Sequence, residues 1–368
     1  MVAAMLPELA EGFDTTVGVA AWSLTAYLLP FAGLMVVSGT LAERWGRRRT
    51  LLAAYLTYVV ASLACAIAPN ISLFLSGRVL QGAANAFTTP ILIAAISDLI
   101  EPDRLGGAMG RYGSLQAAGQ SFAPLISGLA ATVQWRAAFV GSVVAAVALL
   151  TVLPADQSPP DGGPAPPDRA GRVRSLFNRK LALASGVAFL VHSTATGITV
   201  LVALLASDRF GLGPGARGLV VAAFGAAGLV TGGRLGRAVD RLGPTRFGAF
   251  AALGLAAAAV AAGTAPVLPG VVLAVMLAGA GATATRIAVT TLAVTSTPGN
   301  RGGATSIALA FLFFGGSLAP VVWLPVYDLD RTAGLVAAGS GALAAAVILA
   351  TIGAGWSAAP DDHELSHS

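Results

Sequence analysis

Along the sequence, apolar runs of about twenty residues or more alternate with short polar breaks rich in Arg, Gly, Pro and Asp. A helix rises about 1.5 Å per residue, so runs of this length can cross a hydrocarbon core about 30 Å thick. The pattern predicts helices at 16–43, 50–68, 71–98, 104–131 and 136–154, and a second set at 181–206, 214–239, 246–265, 269–295, 302–326 and 332–356. Pro154 to Lys180, rich in Pro, Gly, Asp and Arg, has the composition of a solvated linker, and the polar end of the chain that of a disordered tail. The expected division is a helical bundle over 1–154, a linker over 155–180, a second bundle over 181–357 and a tail over 358–368.

The two sets of helices are copies of one pattern. Gly39 to Arg49 (GTLAERWGRRR) returns in degraded form as Gly236 to Arg246 (GRAVDRLGPTR), an offset of 197 residues (236 minus 39). The same offset carries Gly82 onto Gly279, Arg104 onto Arg301 and Gly106 onto Gly303, while Gly119 to Pro124 returns 196 residues later as Gly315 to Pro320. A duplicated run of apolar helices is a hallmark of membrane transporters. Subtracting 197 from Leu181 places its counterpart at −16, so the first helix of a twelve-helix scheme is expected to survive only as Met1 to Leu9, with about eleven complete spans. Met1 to Ala20 has neither the charged start nor the cleavage site of a signal peptide.

Composition excludes most other classes. With 56% hydrophobic and 11% charged residues and a mean hydropathy of +0.78, the chain has too little polar surface for a soluble globule. A lone cysteine, Cys65, inside a predicted span cannot form an intrachain disulfide, and three histidines, two of them in the tail, make no metal set. No glycine-rich phosphate loop or credible nucleophile is present, so no enzyme, metal or cofactor is expected. The net charge of +5 is spread over short loops, which argues against nucleic acid. If Glu43 to Thr50 is cytoplasmic, sixteen Arg and Lys residues fall on that side and four on the other, a strong positive-inside bias. This predicts a multi-pass protein of the inner (plasma) membrane with linker and carboxy terminus in the cytoplasm.

The loop Gly39 to Arg49 resembles that between the second and third helices of the major facilitator superfamily, written G-x-L-A-D-R-x-G-R-R, with Glu43 in place of Asp. The resemblance implies a fold of two pseudo-symmetric six-helix bundles, here with helix 1 largely missing. It also implies a cytoplasmic gate built from Gly39, Glu43, Arg44, Gly46, Arg47 and Arg48, with Asp98, Asp240 and Arg241 as its counterparts. The second copy has Pro244 and Thr245 where arginines stand in the first, so its latch is expected to be weaker.

Helix 4 of this scheme carries Arg78, Gln81, Gly82 and Asn85 at i, i+3, i+4 and i+7, hence on one face. An Arg followed by Gln-Gly is similar to the family's second signature, which implies a role in coupling protonation to transport. Helix 5 contains Gly119, Ala123, Pro124, Ser127 and Gly128, similar to the antiporter signature G-x-x-x-G-P-x-x-G-G, and the small stripe 119/123/127 is expected to permit close helix contact. Gln116 and Gln120 on the same helix are further cavity candidates. His192 and Arg286 lie deep in predicted spans, where an ionisable group is a functional candidate by default. Trp22, Tyr27, Phe311 and Phe314 are candidates for an apolar pocket. Glu8, Glu11 and Asp14, like Arg136, Arg209, Arg217 and Arg331, are placed at the outer surface. No acid lies mid-span.

The expected activity is proton-coupled export of a small apolar or amphipathic compound through the bilayer, carried out by a monomer. The alternatives are a nutrient symporter, which would ask for more polar cavity residues, and a non-transporting sensor or scaffold.

Overall fold

The computed structural model describes residues 2–100, 102–152, 175–297 and 300–356. Most of the linker and the whole tail lie outside the described residues, as do the side chains of Gly39, Glu43, Asp98, Arg104, Gly106 and Arg301. A 3-10 turn over Val2–Met5 leads into α1 (Leu6–Gly12), followed by α2 (Val17–Trp45), α3 (Arg47–Ile67), α4 (Ile71–Asn85), α5 (Thr88–Leu99), α6 (Pro102–Val133) and α7 (Arg136–Leu150). The second half comprises α8 (Arg179–Asp208), α9 (Pro214–Leu242), α10 (Pro244–Thr264), α11 (Leu268–Ser296), α12 (Arg301–Leu329) and α13 (Arg331–Trp356). Among the described residues eight helices are long and apolar enough to cross a membrane, and α7 is a shorter apolar helix. In lipid a helix suits a span because it pairs its backbone groups within itself.

The duplication is visible residue by residue. Adding 197 to the bounds of α2 (17 and 45) gives those of α9 (214 and 242), and adding it to α3 (47 and 67) gives α10 (244 and 264). The turns between these pairs are made by Gly46 at φ 86° and Gly243 at φ 81°, a left-handed backbone that glycine adopts without a Cβ penalty. A Cβ on Gly82 would lie 2.0 Å from the Tyr27 carbonyl oxygen, and one on Gly279 would lie 1.9 Å from that of Phe224. Both contact partners are again 197 apart.

The copies differ in the fourth span. A single helix over 71–98 is expected, but α4 ends at Asn85 and α5 begins at Thr88. Pro90 explains the break: it has no N–H to donate, and its ring crowds the carbonyl four residues back, at Ala86. Thr88 covers the gap by donating its hydroxyl to the Asn85 backbone and side-chain oxygens at 2.8 Å. In the second copy the equivalent position is Ile287, and α11 runs unbroken.

Two seams join the bundles: α2 packs on α12, and α6 packs on α9. The second is a backbone contact. Gly128 meets the Pro214 carbonyl and Gly218, Gly218 meets the Pro124 carbonyl, and Gly225 meets Ser121. The seam therefore runs through Ser121, Pro124 and Gly128, not through the stripe 119/123/127; Gly119 has open space around its missing Cβ. The reason lies on the partner, since the glycines of α9 face that edge of α6.

Because a Cβ at Gly279 would strike backbone, Gly279→Val is expected to lower the melting temperature and yield of membrane-extracted protein, on the scale of about 1–3 kcal/mol for overpacking. Gly254→Ala, at a position with nothing within 4 Å, should leave both unchanged. Thermal unfolding in detergent distinguishes these outcomes.

Candidate functional site

The site is built outward from Arg78. Burying a guanidinium in an apolar bundle is costly unless its donors are used. Arg78 is 7% exposed, and its Nε donates to the Ser23 carbonyl at 3.2 Å while Nη1 donates to Gln81 Oε1 at 2.6 Å. Gln81 Nε2 donates in turn to the Ser62 hydroxyl at 2.7 Å, tying α4 to α3. The guanidinium also stacks over the Tyr27 ring, 4.3 Å from its centroid, a cation–π contact with α2. Asn85 donates to the Tyr27 hydroxyl at 2.5 Å. Thus Arg78, Gln81, Gly82 and Asn85 all turn to α2 and α3, and no carboxylate is among the partners of Arg78 in the described residues.

From Tyr27 an aromatic column crosses into the second bundle. The Tyr27 and Phe31 rings stack at 6.0 Å, Phe31 meets Phe313 of α12 edge-on at 4.6 Å, and Phe313 meets His192 of α8 at 5.7 Å. Beside it the Thr25 hydroxyl donates to the Ser317 carbonyl at 2.6 Å. His192 also lies against Gly316, where a Cβ would come within 2.6 Å of the imidazole. Of the aromatic candidates, Tyr27 joins this column, whereas Trp22 and Phe311 are 49% and 46% exposed. Phe314 packs on Phe189 at 5.6 Å. Phe31 and Phe313 could not be singled out from sequence, because each is one of many apolar residues in its own helix.

Gln120 on α6 is exposed, yet it lies on the opposite side of its helix from Leu129 and Phe122, the lipid-exposed flank. That places it towards the interior between the bundles. Half-buried Gln116 lies one turn away on the same face. The Ser127 hydroxyl donates to the Pro124 carbonyl at 3.1 Å and is buried with Gly128, while Ala123 is half-buried.

The end of the molecule away from Gly46 and Gly243 is closed by an ion pair that crosses the bundles. Arg217 of α9 is only 2% exposed; it is paired with Glu8 of α1 and donates to the Ser207 hydroxyl of α8 at 3.0 Å. This corrects the placement of Arg217 at a surface: Met5, Leu6 and Leu9 are fully buried beside it. Arg136, also expected there, is half-buried and donates to the Ala66 and Ala68 carbonyls at 2.9 Å, capping the end of α3. At the opposite end Arg44, Arg48, Asp240 and Arg241 are exposed and Arg47 is half-buried; the Glu43 and Asp98 side chains lie outside the described residues.

Arg78→Ala removes the hub of the α2–α3–α4 network and is expected to reduce transport by at least about tenfold, the scale of a lost charge-assisted hydrogen bond. Arg136→Ala removes a carbonyl cap and should lower the melting temperature while keeping the transport rate per folded molecule. Initial rates at matched expression, with thermal unfolding, test the pair; equal rates would contradict the distinction.

A family model described as Major Facilitator Superfamily matches residues 1–320. Over 129 residues the chain is 35% identical to the multidrug resistance protein B homolog of Mycobacterium tuberculosis, covering 35% of this chain and 24% of that protein. Over 141 residues it is 36% identical to the puromycin resistance protein pur8 of Streptomyces alboniger, covering 37% of this chain and 28% of that one. The matched segments thus span about a quarter of the length of these relatives. Among solved structures, the inward-facing, unoccupied bacterial homolog of the human lysosomal transporter Spinster superposes with a TM-score of 0.74 at 16% identity, covering 96% of this chain and 91% of that one. The D-xylose-proton symporter superposes at 0.70 and 16% identity, covering 95% and 92%. The duplicated bundles, the two seams and the family match over residues 1–320 agree: this chain is a member of the Major Facilitator Superfamily.

Proposed function

We propose that the chain exports small apolar or amphipathic compounds across the plasma membrane by alternating access, in exchange for protons. The observation that carries this reading is the aromatic column from Tyr27 to His192, which spans both bundles and begins beneath a buried Arg78. An aromatic surface at the interface of two rigid bundles suits an apolar cargo, since relative rocking of the bundles opens and closes it. The names of the relatives, multidrug resistance and puromycin resistance, support export over import.

The positive-inside rule assigns the Gly46 and Gly243 end, the linker and the carboxy terminus to the cytoplasm. On that orientation the Glu8–Arg217 pair and the glycine seam of α6 and α9 close the outer side, and the site opens inward. Glu43, Asp98, Asp240 and Arg241 then act at the cytoplasmic rim, latching the opposite state.

In a host lacking its own pumps, the chain is expected to raise resistance to puromycin and to drive dye efflux from energised cells. Collapsing the proton gradient should abolish that efflux. Glu43→Gln should reduce it several-fold while membrane insertion is retained, because charge is lost and shape kept. Efflux indifferent to the gradient would refute proton exchange, and no efflux of any compound in the panel would refute export.

A further inference from the structure

Helix packing leaves a groove on the outer flank of the second bundle, between α10 and α13. A Cβ on Gly248 would meet Leu349, and one on Gly353 would meet Thr245, so the start of α10 lies beside the end of α13 and the two run antiparallel. Ala249 on α10, with Ala350 and Gly353 on α13, fill little of the space between them. What remains is a volume of about 530 Å³ walled by Phe250, Leu253 and Val347. These three are 70%, 44% and 59% exposed, and α10 and α13 pack on members of their own bundle, so the groove opens to lipid rather than to the space between the bundles.

Arg246 stands at the mouth of this groove. It lines the cavity within the first turn of α10, is exposed, and makes no hydrogen bond or ion pair with any described residue. Asp240, the acid nearest to it in sequence, does not pair with it. Leu253 lies seven residues further along α10, about 10 Å down the axis. The groove thus carries a cation at one end and hydrocarbon below it. A groove of similar size between α6 and α9 shows the contrast, since its lining includes Ser121 but no charged group.

An uncharged groove facing the bilayer takes any acyl chain, but a cation at its mouth selects among head groups. Basic pockets between helices on the cytoplasmic side hold anionic head groups, and the fork of a guanidinium suits a phosphate. We propose that the α10–α13 groove binds an anionic phospholipid, with its phosphate on Arg246 and one acyl chain lying along Phe250, Leu253 and Val347. Residues 357–368 also carry acids, Asp361, Asp362 and Glu364, but have no apolar run to fill the groove. Both walls belong to one bundle, so rocking of the bundles leaves the site intact and the lipid travels with α10 and α13. The cytoplasmic leaflet follows from the orientation proposed above; the site itself does not depend on it.

The test uses the purified full chain in nanodiscs holding equal amounts of phosphatidylglycerol and phosphatidylcholine with the same acyl chains. Native mass spectrometry then identifies the last lipid retained as collision energy rises. Phosphatidylglycerol is expected there in about fivefold excess, the scale of one arginine near an anionic surface. Arg246→Gln should remove the preference and Arg246→Lys should keep part of it. Arg234→Gln removes an exposed charge that does not line the groove and should leave the preference unchanged. Ala350→Trp, which fills the groove, should lower retention of both lipids. Equal retention of the two lipids by the unaltered chain would overturn the site without recourse to any variant. So would a preference that survives Arg246→Gln, or one lost equally in Arg234→Gln. A preference that appears only after removal of residues 357–368 would put the acidic tail on Arg246 and overturn the lipid site as well. Preferential retention, with the Gly46 end found accessible from outside intact cells, would keep the site and overturn the orientation alone.

Discussion

The arrangement depends on helix backbones touching where a glycine leaves no Cβ between them. Lipid offers helices no hydrophobic reward for association, so close van der Waals packing must hold the bundles together. Gly82 on the Tyr27 carbonyl and Gly279 on the Phe224 carbonyl fix equivalent helix pairs in the two bundles, and Gly315 on the Phe189 carbonyl joins α12 to α8. Gly128, Gly218 and Gly225 do the same between bundles, along α6 and α9. The contacts inside a bundle hold it as a rigid body, and those along the seam set how the two bodies meet. The site inherits its geometry from both: Gly82 brings α4 onto α2 beside Tyr27, and Gly316 lets His192 lie against α12.

The two bundles treat their buried charge differently. In the first, Arg78 is enclosed by Ser23, Gln81 and the Tyr27 ring, an arrangement that satisfies it without a counterion and leaves it little freedom. In the second, Arg286 and His192 are left without hydrogen bonds among the described residues. The first is a structural hub that ties α4 to α2 and α3. An aromatic column, from Tyr27 and Phe31 to Phe313 and His192, crosses the interface between the bundles.

Much of the fold was legible because the chain repeats itself. The 197-residue offset fixes α2 against α9 and α3 against α10 to the residue, and the glycines at 46 and 243 mark both turns. The interruption at Ala86–Phe87 is also written in the sequence, at Pro90, but an unbroken apolar run outweighs a single proline until its carbonyl partner is considered. The burial of Arg217 was not legible, since its partner Glu8 is 209 residues away and each reads alone as a surface charge. The edge of α6 that faces α9 was missed for a similar reason: the motif at 119–128 shows small residues on two faces, and only the glycines of α9 decide between them. The Arg78 cluster could be placed on one helix face, yet the ring beneath it belongs to another helix.

The central claim is that the glycine seam and the Glu8–Arg217 pair close one end of the interface, leaving the interior reachable from the end that carries Gly46 and Gly243. Labelling of Gln120→Cys in a Cys65→Ser background, with a membrane-impermeant thiol reagent applied to oriented vesicles from each side in turn, measures this directly. The account predicts rapid labelling from the Gly46 side and protection from the other. Labelling from the side of Glu8 and Arg217, with protection at the Gly46 end, would contradict it.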